Sequence, residues 1–110
     1  MQFEVKHNGS ATVFRLKERK LDANVSAELK GEFLILCNAK TKNLILDLSD
    51  VEFCDSSGLS ALLIAERKMR EHGGSVTLAG LQKKVLTLIK ISHLDRAFAI
   101  FDTVAKALKV

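Results

Sequence analysis

Short apolar runs of strand length alternate along this chain with longer stretches of helical period, and that alternation narrows the folds open to it. Residues Phe3 to Lys6 alternate apolar and polar, as a half-buried strand does. His7-Asn8-Gly9-Ser10 follows as a turn with Asn-Gly at its centre, and Thr12 to Leu16 supplies a second strand, so the chain opens on a hairpin. From Asn24 to Lys40 the period changes. Val25, Leu29, Phe33, Leu36 and Cys37 mark one face of a helix, with Asn24 or Ser26 available to accept an orphan N–H at its start. Asn43 to Leu48, "NLILDL", is short and mostly apolar, which suits an interior strand covered on both faces. Leu59, Leu62, Leu63, Ala65 and Met69 then form a second helical stripe. His72 and Gly73-Gly74 end it, because glycine readily takes the left-handed conformation past a helix terminus. Ser75 to Ala79 reads as a strand, and Gln82 to Ser92 as a helix with Val85, Leu88 and Ile89 on one face. Ala97 to Phe101 reads as a last strand, and Asp102 as the cap of a terminal helix that buries Val104, Ala105 and Leu108.

The order is β-β-α-β-α-β-α-β-α. Strand–helix–strand units favour parallel pairing, because a parallel connection needs a crossover of about a helix's length. The expected fold is therefore α/β: a small mixed, mainly parallel sheet with an N-terminal antiparallel hairpin and helices packed mainly on one side. The chain of 110 residues contains no proline, and it has no repeat or linker-like stretch, so residues 1–110 read as one domain.

Composition excludes several function classes. No apolar run approaches the roughly 20 residues that span a bilayer, and the start "MQFEVKHNGS" has no basic flank followed by an apolar segment. Cys37 and Cys54 form neither a CxxC pair nor a metal-ligand spacing with His7, His72 or His93, and read as buried reduced thiols. A cytoplasmic protein without membrane insertion follows. The net charge of +4 permits an acidic partner without requiring nucleic acid. Tryptophan and tyrosine are absent and the six phenylalanines sit mostly in apolar runs, which makes a poor base-stacking platform. Lys17-Glu18-Arg19-Lys20 reads as a solvated surface cluster. No phosphate-cradling P-loop, dinucleotide fingerprint or GxSxG elbow occurs. Ser56 and Ser57 have no histidine base in obvious reach, since His72 lies roughly 22 Å along the same expected helix at 1.5 Å per residue. Neither catalysis by this chain nor a cofactor of its own is expected.

The segment that stands out is Cys54-Asp55-Ser56-Ser57-Gly58-Leu59, at the junction of a strand-like run and a helix. Locally, Asp55 or one of the serines caps the helix and Gly58 permits a tight turn. The same corner can carry a phosphate. A helix N-terminus has free N–H groups and a positive dipole end, and a phosphoserine there adds about −1.5 to −2 charges without unwinding the helix.

"LILDLSDVEFCDSSGLSALLIAERKMREHGGSVTLAGL" resembles the core of the STAS domains, specifically the stand-alone bacterial anti-sigma factor antagonists. The Leu21-Asp22 pair before the first helix, the Gly-Gly stop and the C-terminal "ISHLDRAFAIFDTVAKAL" extend the resemblance over nearly the whole chain. It implies a switch by partner exchange. The unphosphorylated antagonist binds an anti-sigma factor that is also a serine kinase, is released on phosphorylation, and is reset by a metal-dependent serine phosphatase. ATP and Mg²⁺ belong to those partners. By resemblance, Ser56 is the phosphoacceptor and Asp55 orients it or contacts the kinase. Ser57 is a cap or turn residue, Gly58 the turn glycine, Leu59 the end of the motif, and Asp22 an acid on the partner-facing surface. Family members commonly carry Gly-Glu before the Leu-Asp, where this chain has Arg19-Lys20, which implies a more acidic partner. The same resemblance admits a constitutive adaptor subunit of a lipid-transport or stress-signalling assembly. A nucleotide- or lipid-binding module at the helix start is a third reading. A monomer is the default.

Overall fold

The computed structural model describes residues 1–109. Strands β1 (Phe3–Asn8) and β2 (Ala11–Leu16) form the antiparallel hairpin. A two-residue strand β3 (Lys20–Leu21) leads into helix α1 (Ala23–Leu36), followed by β4 (Asn43–Asp47), a second two-residue strand β5 (Phe53–Cys54) and α2 (Ser56–Glu71). The chain closes with β6 (Ser75–Ala79), α3 (Lys83–Ile91), a 3₁₀ turn at Leu94–Arg96, β7 (Ala99–Phe101) and α4 (Val104–Leu108). The main sheet runs β1-β2-β4-β6-β7, and every pairing except the hairpin is parallel.

Alternation along the strands divides the core. Phe14, Leu16, Leu44, Leu46, Val76 and Leu78 pack with Leu29 and Phe33 of α1, Leu62, Ala65 and Met69 of α2, and Val85 and Ile89 of α3. On the other face, Ile45 and Ala79 meet Ala107 of α4, with Val104 and Leu108 beside it. Three helices thus cover one face, and the short α4 covers part of the other, which is the one-sided arrangement the sequence implies.

Several local expectations are corrected. The hairpin loop is Gly9-Ser10 rather than Asn-Gly, with Gly9 at φ +61°. This register stacks Phe3 on Phe14, with ring centroids 5.0 Å apart. Asp22 caps α1, not Asn24 or Ser26, by accepting from the Asn24 and Val25 N–H groups at 3.1 and 3.2 Å. The helix stops at Leu36 instead of Lys40 because side chains take its last carbonyls. Thr41 Oγ1 donates to Leu36 O at 2.8 Å and Asn38 Nδ2 to Ile35 O at 3.3 Å. β7 begins only at Ala99, because the 3₁₀ turn runs into Ala97 and drives Phe98 into the core. Thr103 caps α4, while Asp102 pairs with Lys106. Ala107, not Ala105, is buried, with Val104 and Leu108 beside it, because the helix packs that side on Ile45 and Ala79.

Candidate functional site: two paired strand-to-helix corners

The parallel pairing of β3 with β5 goes beyond the element order expected from the sequence, and it builds the site. Lys20 lies opposite Phe53 and Leu21 opposite Cys54. Side chains alternate, so Leu21 and Cys54 are buried while Lys20 and Phe53 face solvent. Each strand ends in an aspartate that caps the next helix with nearly the same backbone, φ −107° and ψ −171° at Asp22 and φ −106° and ψ −174° at Asp55. Two helix N-termini are thereby set side by side. The Asp55 N–H donates to Leu21 O at 3.3 Å, which joins the second corner directly to the first.

At the second corner, Asp55 accepts from the Gly58 N–H at 3.1 Å. The cap is the acid, so neither serine is needed for it. Ser56 is the first residue of α2 and is exposed, and its hydroxyl enters no side-chain hydrogen bond among the described residues. Ser57 is half-buried, and Gly58 and Leu59 are buried. Gly58 is required by close approach. A Cβ there would lie 2.6 Å from Leu21 O and 2.7 Å from both Cys54 Sγ and Leu21 Cγ, nearer than carbon contacts allow. Gly58 therefore lets the first corner press against the second, and Leu59 anchors the turn in the core.

The first turn of α2 holds no acidic side chain, and its dipole and free N–H groups favour an anion. An exposed, unengaged hydroxyl at this point is one that an external enzyme can reach, and a phosphate on it would sit where the helix stabilises it. Asp55 immediately precedes that hydroxyl and Asp22 caps the adjoining corner; both are half-exposed, Asp22 engaged by two backbone N–H groups and Asp55 by one.

Electrostatics tighten the corner. Arg19 Nε donates to Glu52 Oε2 at 2.6 Å and Arg19 Nη2 to Oε1 at 3.3 Å. The hydrogen bond and charge of Arg19 hold the Glu52 carboxyl below its usual range. Arg19 O also accepts from both the Glu52 and Phe53 N–H groups, at 2.8 and 3.1 Å. The basic cluster is thus partly a clamp between the two loops. Cys54 donates weakly from Sγ to Asp55 O at 3.4 Å. Burial, reinforced by the Asp55 charge, pushes its thiol up to about 12, and burial alone pushes Cys37 up to about 11. Both cysteines are free and buried.

A cavity of about 560 Å³ lies around the opposite ends of the strands, with Asn43, Ser75 and Arg70 in its wall, and one of about 290 Å³ lies beside α4; neither includes a corner residue. Among the described residues no group of three or more His, Cys, Asp or Glu side chains could hold a metal ion, and no helix is long and apolar enough to cross a membrane. The sequence carries one sign of the pairing. Lys20-Leu21-Asp22 and Phe53-Cys54-Asp55 share an order of outward residue, inward residue and aspartate.

The family model for the STAS domain matches residues 2–107. The chain is 33% identical over 78 residues to a homolog of TM1081 in Thermotoga neapolitana, a match covering 71% of this chain and 66% of that protein. It is 25% identical over 109 residues to the anti-sigma F factor antagonist of Paenibacillus polymyxa, covering 98% of this chain and 92% of that one. The structure of the phosphorylated form of the Bacillus cell fate determinant SpoIIAA superposes with a TM-score of 0.76 at 18% identity, covering 98% and 97% of the two chains, which is a likeness of fold.

Proposed function

The chain belongs to the STAS domain family, and from that membership and the geometry of the Asp55–Ser56 corner we propose that it is a non-catalytic anti-sigma factor antagonist switched at Ser56. In the unmodified state the face around Ser56 binds an anti-sigma factor that is also a serine kinase. That kinase transfers the γ-phosphoryl group of ATP to Ser56 Oγ; the O–Pγ bond forms as the bond to ADP breaks, and the hydroxyl proton leaves to a base on the kinase. The phosphoserine adds about −1.5 to −2 charges to the docking face and separates the pair. A metal-dependent serine phosphatase hydrolyses the ester and resets the switch.

The observation that carries this reading is the division of labour at the corner. Asp55 caps the helix, which leaves the Ser56 hydroxyl exposed and unengaged. The fold of a phosphorylated relative supports it, since the same architecture bears the modification there. The loop that differs from the family pattern speaks less for a constitutive adaptor than its sequence suggests, because Arg19 is held by Glu52. Binding to purified anti-sigma factor kinases from the source genome tests the proposal. Ser56→Ala should bind as the wild type does and resist release by ATP, and Ser56→Asp should bind weakly. Equal binding by both substitutions contradicts a switch at Ser56.

A further inference from the structure

The outer face of the β3–β5 pair carries an apolar side chain that the fold leaves uncovered. Phe53 is 51% exposed although its neighbour Cys54 is buried. Its position is fixed: the Phe53 N–H donates to Arg19 O, and the residue lies opposite Lys20. It stands three residues before Ser56, across the capped corner. The carboxylates around it are all engaged within the chain, Glu52 by Arg19, Asp22 by the α1 N–H groups and Asp55 by the Gly58 N–H. The lysines are not. Lys20 lies opposite Phe53, and Lys84 stands exposed in the first turn of α3, the helix that packs against β5, yet neither enters an ion pair among the described residues. The face is therefore an exposed aromatic ring with available cations on the adjoining elements.

We propose that Phe53 is the anchor of the docking face, seated in an apolar pocket of the partner protein, and that Lys20 and Lys84 pair with carboxylates rimming that pocket. The proposal rests on the antagonist reading and adds the chemistry of the partner's surface. An exposed aromatic ring on a pinned backbone gains from desolvation in a pocket, as central interface residues do. Cations on its rim steer and select the partner more than they tighten it. The same arrangement accounts for release. A phosphate on Ser56, three residues along the chain from Phe53, adds negative charge to this face and repels an acidic rim.

The test is binding of the source genome's purified anti-sigma factor kinases, with ADP and Mg²⁺, by full-length wild type, Phe53→Ala, Phe53→Leu, Lys20→Glu/Lys84→Glu and Ser56→Asp, each first checked for wild-type circular dichroism. Phe53→Ala should weaken binding about 30-fold, as removal of an interface anchor does. Phe53→Leu should recover part of it. The double lysine variant should lose about tenfold at low salt, and the loss should shrink at high salt as the charges are screened. If Ser56→Asp abolishes binding while the Phe53 and lysine variants stay within about twofold of wild type, the docking face is wrong and the Ser56 switch stands. If Ser56→Asp binds as the wild type does while Phe53→Ala is impaired, the switch is wrong and the face stands. Binding to none of these kinases overturns both.

Discussion

The corner at Asp22 and the corner at Asp55 are built by one backbone device. In each, a two-residue strand delivers an outward and an inward side chain, an aspartate in extended conformation follows, and a helix starts on its carboxylate. They differ in what comes next. After Asp22 the chain places Ala23 at the first helical position and Val25 at the third; after Asp55 it places Ser56 and Gly58. The hydroxyl is free because the aspartate already caps, and the glycine is there because the first corner leans on the second. Capping alone thus accounts for the aspartates. It does not account for the serine, and that remainder carries the functional reading.

Substitution at the third helical position should break the symmetry most. Gly58→Val forces a side chain into Leu21 O and should cost at least about 1–3 kcal/mol, the usual range for overpacking. Val25→Ala, at the matching position of α1, only trims a half-buried side chain and should cost about 1 kcal/mol. Urea unfolding of both variants distinguishes them, and equal costs would mean that the second corner is not compressed.

The caps come next. Asp22→Ala and Asp55→Ala should each lose about 0.5–2 kcal/mol in the same assay. Asp22 should show the larger loss, because its carboxylate serves two N–H groups and that of Asp55 serves one. A loss at Asp55 well above that at Asp22 would assign Asp55 a further structural contact.

The last contrast appears only in alkali. The second corner has a thiol where the first has Leu21. Folding raises the Cys54 pKa from 9.0 to about 12, so the folded chain keeps a proton that the unfolded chain loses. That contribution is fully present below pH 9 and is lost as pH rises from 9 through 12. Cys54→Val should flatten the decline in stability between pH 9 and 11 relative to wild type, although Cys37, raised to about 11, keeps part of it. An unchanged slope would mean that Cys54 titrates normally in the fold.

These contrasts show which links were legible in the sequence. The strand–helix alternation and the stripes on α1, α2 and α3 were readable because each spans enough residues for its period to emerge. The "DSSG" corner was readable because a small polar cluster stood between two apolar runs. The choice of Asp22 as cap was not, since Asp22, Asn24 and Ser26 are all capable and the decision is made by the pairing of Leu21 with Cys54, far along the chain. The Arg19–Glu52 clamp and the exposure of Phe53 depend on that same long-range pairing. In α4 five residues are too few for a period to separate Ala105 from Ala107, so only packing on Ile45 and Ala79 decides.

The central claim is that Ser56, and not the corner in general, receives the phosphate. The most direct measurement is reaction of the wild type, Ser56→Ala and Ala23→Ser with the source genome's anti-sigma factor kinases, ATP and Mg²⁺, followed by intact mass and fragmentation. The account predicts one phosphate on Ser56 in the wild type, none in Ser56→Ala, and one on Ser56 alone in Ala23→Ser, although the latter carries a serine at the first position of both helices. Phosphate on the serine introduced by Ala23→Ser or on Ser57, or none in the wild type with any of these kinases, would contradict it.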